Sequence, residues 1–164
     1  MRKTDFLIKL HREGKLKLVE PSEEIKTAYL ERADESMSSA KALLKMGNLK
    51  DAVALSYYAM YHVLLALLFR TGIKCENHTA SIILLKETFS MDDSSIMKAK
   101  SERVDKQYYV DFEITKEEVL ESVRAAEEFI ADVTDRIERL SEDEIKDYRR
   151  KALVMMGGKL QRNH

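Results

Sequence analysis

Residues 51–70 read DAVALSYYAMYHVLLALLFR. Between Asp51 and Arg70 only Ser56 and His62 are neither apolar nor aromatic. A helix that is apolar on every side is either wrapped by other helices or sits in lipid. The stretch is near the lower length limit for a membrane span. Yet Ser56, Tyr57, Tyr58, Tyr61 and His62 fall in its middle, whereas spanning helices keep such groups near the interfacial ends. The expectation is therefore the central rod of a soluble bundle, with no membrane as a partner.

The neighbouring segments supply the jacket. Pro21-Ser22-Glu23-Glu24 places a serine cap and two acids at the start of a long helix. In that helix Ile25, Tyr29, Ala33, Met37, Ala40 and Leu44 recur every three or four residues. Gly47 ends it and Asn48 caps the next, so short a joint that the two helices must run antiparallel. The central helix is expected from Leu49 to Thr71, stopped by Gly72. Asn77 caps a third helix whose apolar face is Ile82, Ile83, Leu85 and Phe89, and a fourth covers residues 95–109. Thr115 and Glu118 form a capping box. Behind it Val119, Val123, Ala126, Ile130, Val133, Ile137 and Leu140 alternate steps of four and three, a period that suits bundle packing or a dimeric coiled coil. Ser141-Glu142-Asp143-Glu144 starts a short last helix that ends at Gly157-Gly158.

These elements divide the chain into a lead-in over residues 1–21, an all-α up-and-down bundle of four to five helices over residues 22–156, and a mobile tail over residues 157–164. In the lead-in, Phe6, Leu7, Ile8 and Leu10 suit a short helix stopped near Gly14, and Lys15 to Val19 alternate as an extended strip would. Its basic residues suit either phosphate contact or a solvated face. The formal charge is −1, from 28 basic and 29 acidic side chains, so only a local basic patch could favour nucleic acid. The single cysteine, Cys75, has no intramolecular partner, and no secretory leader is visible; both point to a reducing, cytoplasmic setting.

Catalytic signatures are sparse. There is no glycine-rich phosphate loop, no cysteine pair, no His-Glu zinc motif and no nucleophile elbow. The four histidines, His11, His62, His78 and His164, are too dispersed to suggest a metal cluster, and no cofactor is expected. His62 suits a core histidine hydrogen-bonded to a neighbouring helix. His78 falls at a helix start, where the dipole favours the neutral ring. There it can take a proton, bond a ligand or cap the helix. Tyr57, Tyr58 and Tyr61 suit core filling with satisfied hydroxyls, or a base-stacking platform.

With these residues in order, the chain resembles the HEPN domains (higher eukaryote and prokaryote nucleotide-binding), in their small stand-alone prokaryotic branch. The resemblance is carried by Ser56-Tyr57-Tyr58-Ala59-Met60-Tyr61-His62 within residues 52–68. It continues through Gly72, His78, Arg103, Thr115-Lys116-Glu117-Glu118 and Ala126-Glu127-Glu128-Phe129-Ile130, and spans residues 22–140. It implies a helical bundle, commonly a homodimer, often the partner of a minimal nucleotidyltransferase in a toxin–antitoxin pair. Active members are metal-independent ribonucleases. Their signature is an arginine followed a few residues later by a histidine, before the last long helix.

Arg103 occupies the arginine position, but Val104, Asp105, Lys106, Gln107, Tyr108 and Tyr109 follow, and no histidine does. Arg70 and His78 are spaced too far apart and lie in a different loop. Cleaving RNA through its own 2′-hydroxyl needs a group that exchanges a proton near neutral pH. Histidine does so at about 6.5, tyrosine only at about 10. Arg103 can still hold a phosphate through paired donors, and Tyr108 or Tyr109 can stack or hydrogen-bond. The implied site is Arg103, Tyr108, Tyr109 and His78, binding nucleotide or RNA phosphate without the usual cleavage motif. Two alternatives stand beside it: a ribonuclease toxin in which His78 supplies the missing imidazole, and a module that binds only protein. Arg103 could also be a surface arginine facing Glu102.

Overall fold

The computed structural model describes residues 1–108 and 113–160, and for residues 104–108 the backbone alone. In chain order its elements are α1 (Lys3–Arg12), β1 (Leu16–Leu18), α2 (Glu23–Met46), α3 (Leu49–Thr71), β2 (Ile73–Cys75), α4 (His78–Glu87), α5 (Ser94–Tyr108), α6 (Lys116–Glu138) and α7 (Glu142–Met155). Among the described residues the fold is all-α apart from one two-stranded antiparallel ribbon, in which Leu16 faces Cys75 and Leu18 faces Ile73.

Helix boundaries follow local chemistry. Ser22, Asn77, Thr115 and Ser141 each accept a hydrogen bond from the amide three residues on, satisfying donors that a helix start leaves unpaired. Asn48 is the exception. Its amide donates back to the Leu43 carbonyl to close α2, and its side chain makes no capping bond. With only Gly47 and Asn48 between the two helices, Asn48 serves the end of one and, through its carbonyl, the start of the other. Gly47 and Gly72 take the left-handed conformation, φ 80° and 74°, that closes α2 and α3.

Helix α3 is the rod. Ala52, Tyr57, Ala59, Met60, Val63, Leu64, Ala66, Leu67 and Leu68 are wholly buried, and 72% of its most apolar window is inside the fold. By length and composition it could cross a membrane, but α2, α5 and α6 pack along it. Its buried aliphatic hydroxyls are satisfied within the helix: Ser56 Oγ donates to the Ala52 carbonyl and Thr71 Oγ1 to those of Leu67 and Leu68, so these two need no polar partner from a neighbour. Alanines one heptad apart, Ala33 and Ala40 in α2 and Ala52, Ala59 and Ala66 in α3, are at most 1% exposed. Such small side chains let helices approach closely.

The periodic face of α6 is largely as expected: Val119, Val123, Ala126, Val133 and Ile137 are buried, while Ile130 and Leu140 are half-buried and Phe129 joins the core. In α2, Ile25 lies in the first turn and stays 39% exposed. The lead-in contributes to the core through Leu7, Leu10 and Leu16, all at most 4% exposed. Helix α7 closes the far end. Arg149 Nη1 donates to the carbonyls of Val19, Thr71 and Gly72 at 2.6, 3.2 and 2.9 Å, tying α7 to the end of α3 and the chain after β1. The last four residues of the expected tail lie outside the described residues.

Candidate functional site

The site is built where α3, α4 and α5 meet. Asn77 starts α4 so that His78 is its first residue, half-buried against α3. Its ring stacks on Tyr61, with centroids 3.9 Å apart and planes 20° from parallel. Its Nδ1 lies 2.9 Å from the Tyr57 hydroxyl. The imidazole is thus gripped by two tyrosines one helical turn apart on α3. Nε2 has no partner among the described residues. If the phenol donates to Nδ1, Nε2 carries a proton and is a donor. If Nδ1–H donates to the phenol oxygen, Nε2 is a base.

Arg103 reaches the same tyrosines from α5. Its guanidinium carbon sits 5.2 Å from the Tyr57 ring centre and 5.5 Å from that of Tyr58, within cation–π range, and Nη1 donates to the Tyr58 hydroxyl at 3.2 Å. Arg103 Nε is buried and has no acceptor among the described residues. Among the described residues no carboxylate pairs with this guanidinium. Glu102, its neighbour in sequence, turns away and accepts from Ser122 Oγ of α6 at 2.9 Å. The reading of Arg103 as a surface arginine facing Glu102 is therefore corrected: the helical step between consecutive residues sends one side chain to α6 and the next to the tyrosines.

Lys100, one turn before Arg103, points to the same groove and donates to Thr79 Oγ1 at 2.6 Å. Two cations and an imidazole thus converge at the N-terminal end of α4, where the helix dipole adds positive potential. The electrostatics record the crowding. Burial first, then the Arg103 and Lys100 charges, hold His78 below the usual histidine range. Burial and Arg103 lower Lys100. Burial pushes Tyr61 up to about 12, against the opposing hydrogen bond from Ser81. It raises Tyr57 as well, which Arg103 only partly offsets. Near neutral pH the cluster therefore holds neutral phenols, a neutral imidazole and cations that face no described carboxylate, an arrangement that can receive an anion.

Of the four residues named from sequence, Arg103 and His78 are brought together through Tyr57. The side chain of Tyr108 and the whole of Tyr109 lie outside the described residues. The sequence reading passes over Lys100 and Thr79, and offers Tyr57 and Tyr58 only as core filling or a base-stacking platform. The spacing of Lys100 three residues before Arg103 was a usable signal, since it puts both cations on one helix face. The tyrosines are legible only as core filling or a stacking platform, because nothing along the chain shows which phenol lies beside a cation. His62 is half-buried, not a core residue, and bonds a neighbouring helix as expected: its Nδ1 is 3.3 Å from Ser36 Oγ of α2. Arg70 is held by Glu23 at 2.8 Å and Glu142 at 3.6 Å, among different partners from those of the cluster. His11 is occupied with the Leu16 carbonyl. No group of histidine, cysteine and acidic side chains suited to a metal occurs among the described residues.

An all-helical bundle around one apolar rod, with an arginine and a histidine meeting at its tyrosines, defines a class of helical domains. The HEPN domain family profile matches residues 27–140, and the chain belongs to that family. It is similar to a protein of Methanocaldococcus jannaschii named as a "putative toxin", 31% identical over 68% of this chain and 85% of the relative. It is also similar to a UPF0332 protein of Pyrococcus horikoshii, 37% identical over 33% of this chain. That second match spans 38% of the relative's length.

Proposed function

We propose that this HEPN protein acts in a toxin–antitoxin pair and binds the phosphate of RNA or a nucleotide in the α4–α5 groove, at Arg103, Lys100 and His78. The observation that carries the reading is the Arg103 guanidinium: turned inward, stacked on two tyrosines, without a described carboxylate partner, and with an unsatisfied Nε. A buried charged group lacking its counter-ion is costly, and such groups persist at functional sites. A phosphate supplies the missing charge and acceptors. Family membership and the relative named as a toxin support the biological setting. A minimal nucleotidyltransferase as partner, and a homodimer, follow from the family resemblance alone.

The test is fluorescence anisotropy with a labelled single-stranded RNA. Loss of one charge-assisted contact of roughly 1.5–3 kcal/mol should weaken binding at least about tenfold in Arg103→Ala. Wild-type protein that binds neither RNA nor nucleotide, or an Arg103→Ala protein that binds equally well, removes the reading and leaves the protein-interaction module.

A second reading has a specific observation behind it: Tyr57 joins His78 to Arg103 although the family's histidine position is vacant. With Nε2 free, the imidazole can take the proton of a 2′-hydroxyl as its oxygen attacks the adjacent phosphorus, while Arg103 holds the phosphate and the 5′-oxygen leaves. RNA cleavage in excess chelator, abolished in His78→Ala with binding retained, is the expected outcome of this reading. A protein that binds RNA and never cuts it excludes it.

A further inference from the structure

The groove between α4 and α5 does not end at the cationic cluster. Past Lys100 and Thr79 it opens into a cleft of about 210 Å³ walled by Ile82, Ile83 and Met97, with Asp93 in its lining. Lys100 and Thr79 line this cleft and also make the cluster's hydrogen bond, so the cleft adjoins the cluster through these two residues. Lys3, at the rim, is paired with Glu87 at 3.5 Å.

Asp93 is the unexplained group. It is only 9% exposed, and its carboxylate makes no hydrogen bond or ion pair with any described residue. Neighbouring Asp92 does the local work at the start of α5, its two oxygens accepting from the Ser94 amide and hydroxyl at 3.0 and 2.8 Å. Buried carboxylates are ordinarily paired or hydrogen-bonded. Asp93 has no such partner among the described residues, yet its oxygens are not sealed from solvent, the one sealed orphan atom there being Arg103 Nε; it lines the cleft as an acceptor still open to a ligand. An ionised carboxylate only accepts, and its two oxygens suit two parallel donors.

That chemistry discriminates among bases. Guanine alone presents a ring N–H and an amino group side by side on its Watson–Crick edge. Adenine and cytosine set their amino group beside an acceptor nitrogen, which a carboxylate repels, and uracil flanks its one N–H with carbonyls. Apolar walls suit the ring faces. The seven-residue step from Asp93 to Lys100 along α5 covers about 10 Å at the helical rise, comparable to the span from a nucleotide's phosphate to the outer edge of its base.

We propose that the cleft is a guanine subsite. The base of a guanosine nucleotide, free or within single-stranded RNA, lies between Ile82, Ile83 and Met97 and donates to the Asp93 carboxylate, with its phosphate on Lys100 and Arg103. This rests on the phosphate-binding reading of the cluster.

The test compares labelled uridine oligomers carrying one central guanosine or one adenosine, in wild type, Asp93→Asn and Met97→Trp. Asparagine suits a position before a helix, and Met97 is 54% exposed, so both variants are expected to fold, as a thermal melt checks. Wild type should prefer the guanosine oligomer by about tenfold or more, the size of one bidentate base contact. Asp93→Asn should erase that preference while all-uridine binding is kept, and Met97→Trp should erase it by filling the slot. Competition by guanosine monophosphate over adenosine monophosphate assigns the site to free nucleotide; a preference confined to the oligomers assigns it to RNA. Binding without guanine preference in wild type, or a preference that survives both substitutions, overturns the subsite and leaves the phosphate reading standing. Absence of any RNA or nucleotide binding removes both.

Discussion

The rings of Tyr61 and His78 lie nearly parallel, 3.9 Å apart between centroids, so the imidazole has one orientation while the Tyr57 hydroxyl holds its Nδ1. Removing that hydrogen bond in Tyr57→Phe keeps the ring under Arg103 and should cost ~1 kcal/mol of stability, the net value of one such bond. Urea denaturation reads the change. An unaltered midpoint would mean the phenol does not hold the imidazole.

The titration of His78 should report the cluster directly. Burial, Arg103 and Lys100 all hold its pKa below 6.5. Lys100→Gln removes one of these charges and should move the NMR titration midpoint upward, and RNA binding should do the same, because a bound phosphate favours the imidazolium. A midpoint at or above 6.5 in the free protein contradicts the geometry.

Stability should fall on mild acidification. His62 and His78 both have folded-state pKa values below 6.5, with burial as the first cause in each. As pH drops below about 6.5 the unfolded chain takes up protons that the folded chain refuses, so stability present above that pH is lost through the folded pKa values. Melting temperatures recorded from about pH 8 to pH 5 should decline in the lower half of that range. His62→Gln should flatten part of the decline, and a wild-type profile that is level there would refute the assignment.

Lys100→Ala should reduce the salt dependence of RNA binding. Each phosphate contact to a single strand contributes about 0.7 to the slope of log affinity against log salt. The variant's slope should be shallower by about that amount, and an identical slope would place Lys100 outside the interface.

Two glycines in the same backbone conformation should respond differently to alanine. At Gly47, φ 80°, an added Cβ meets open space, so Gly47→Ala should cost about 1–2 kcal/mol for the left-handed conformation alone. At Gly72, φ 74°, the Cβ would run into Arg149 Nη1 and the Val19 carbonyl oxygen. Gly72→Ala should therefore cost distinctly more, with the α7 anchor loosened. Equal urea midpoints for the two variants would mean that anchor carries little stability.

Local rules made the helical scaffold legible. The caps at Ser22, Asn77, Thr115 and Ser141 and the stops at Gly47 and Gly72 act within one helical turn, so their chemistry is written in adjacent residues. The apolar rod of α3 and the face of α6 were equally plain, because burial imposes a period. The strip at residues 15–19 reads as extended, but its pairing with the segment after Gly72 is not legible. A three-residue strand carries too little pattern to name a partner.

Adjacent residues and their period suffice to make α3 a jacketed core helix in an all-α bundle, and the HEPN resemblance adds that the family's histidine is missing after Arg103. It takes the folded chain to turn Arg103 inward onto Tyr57 and Tyr58, to bring His78 to the same phenol, and to set Asp93 in the lining of an apolar cleft beyond Lys100. These side chains come from three helices. Their convergence depends on the rotation of each helix about its axis, which the packing of the whole core sets and no spacing along the chain records.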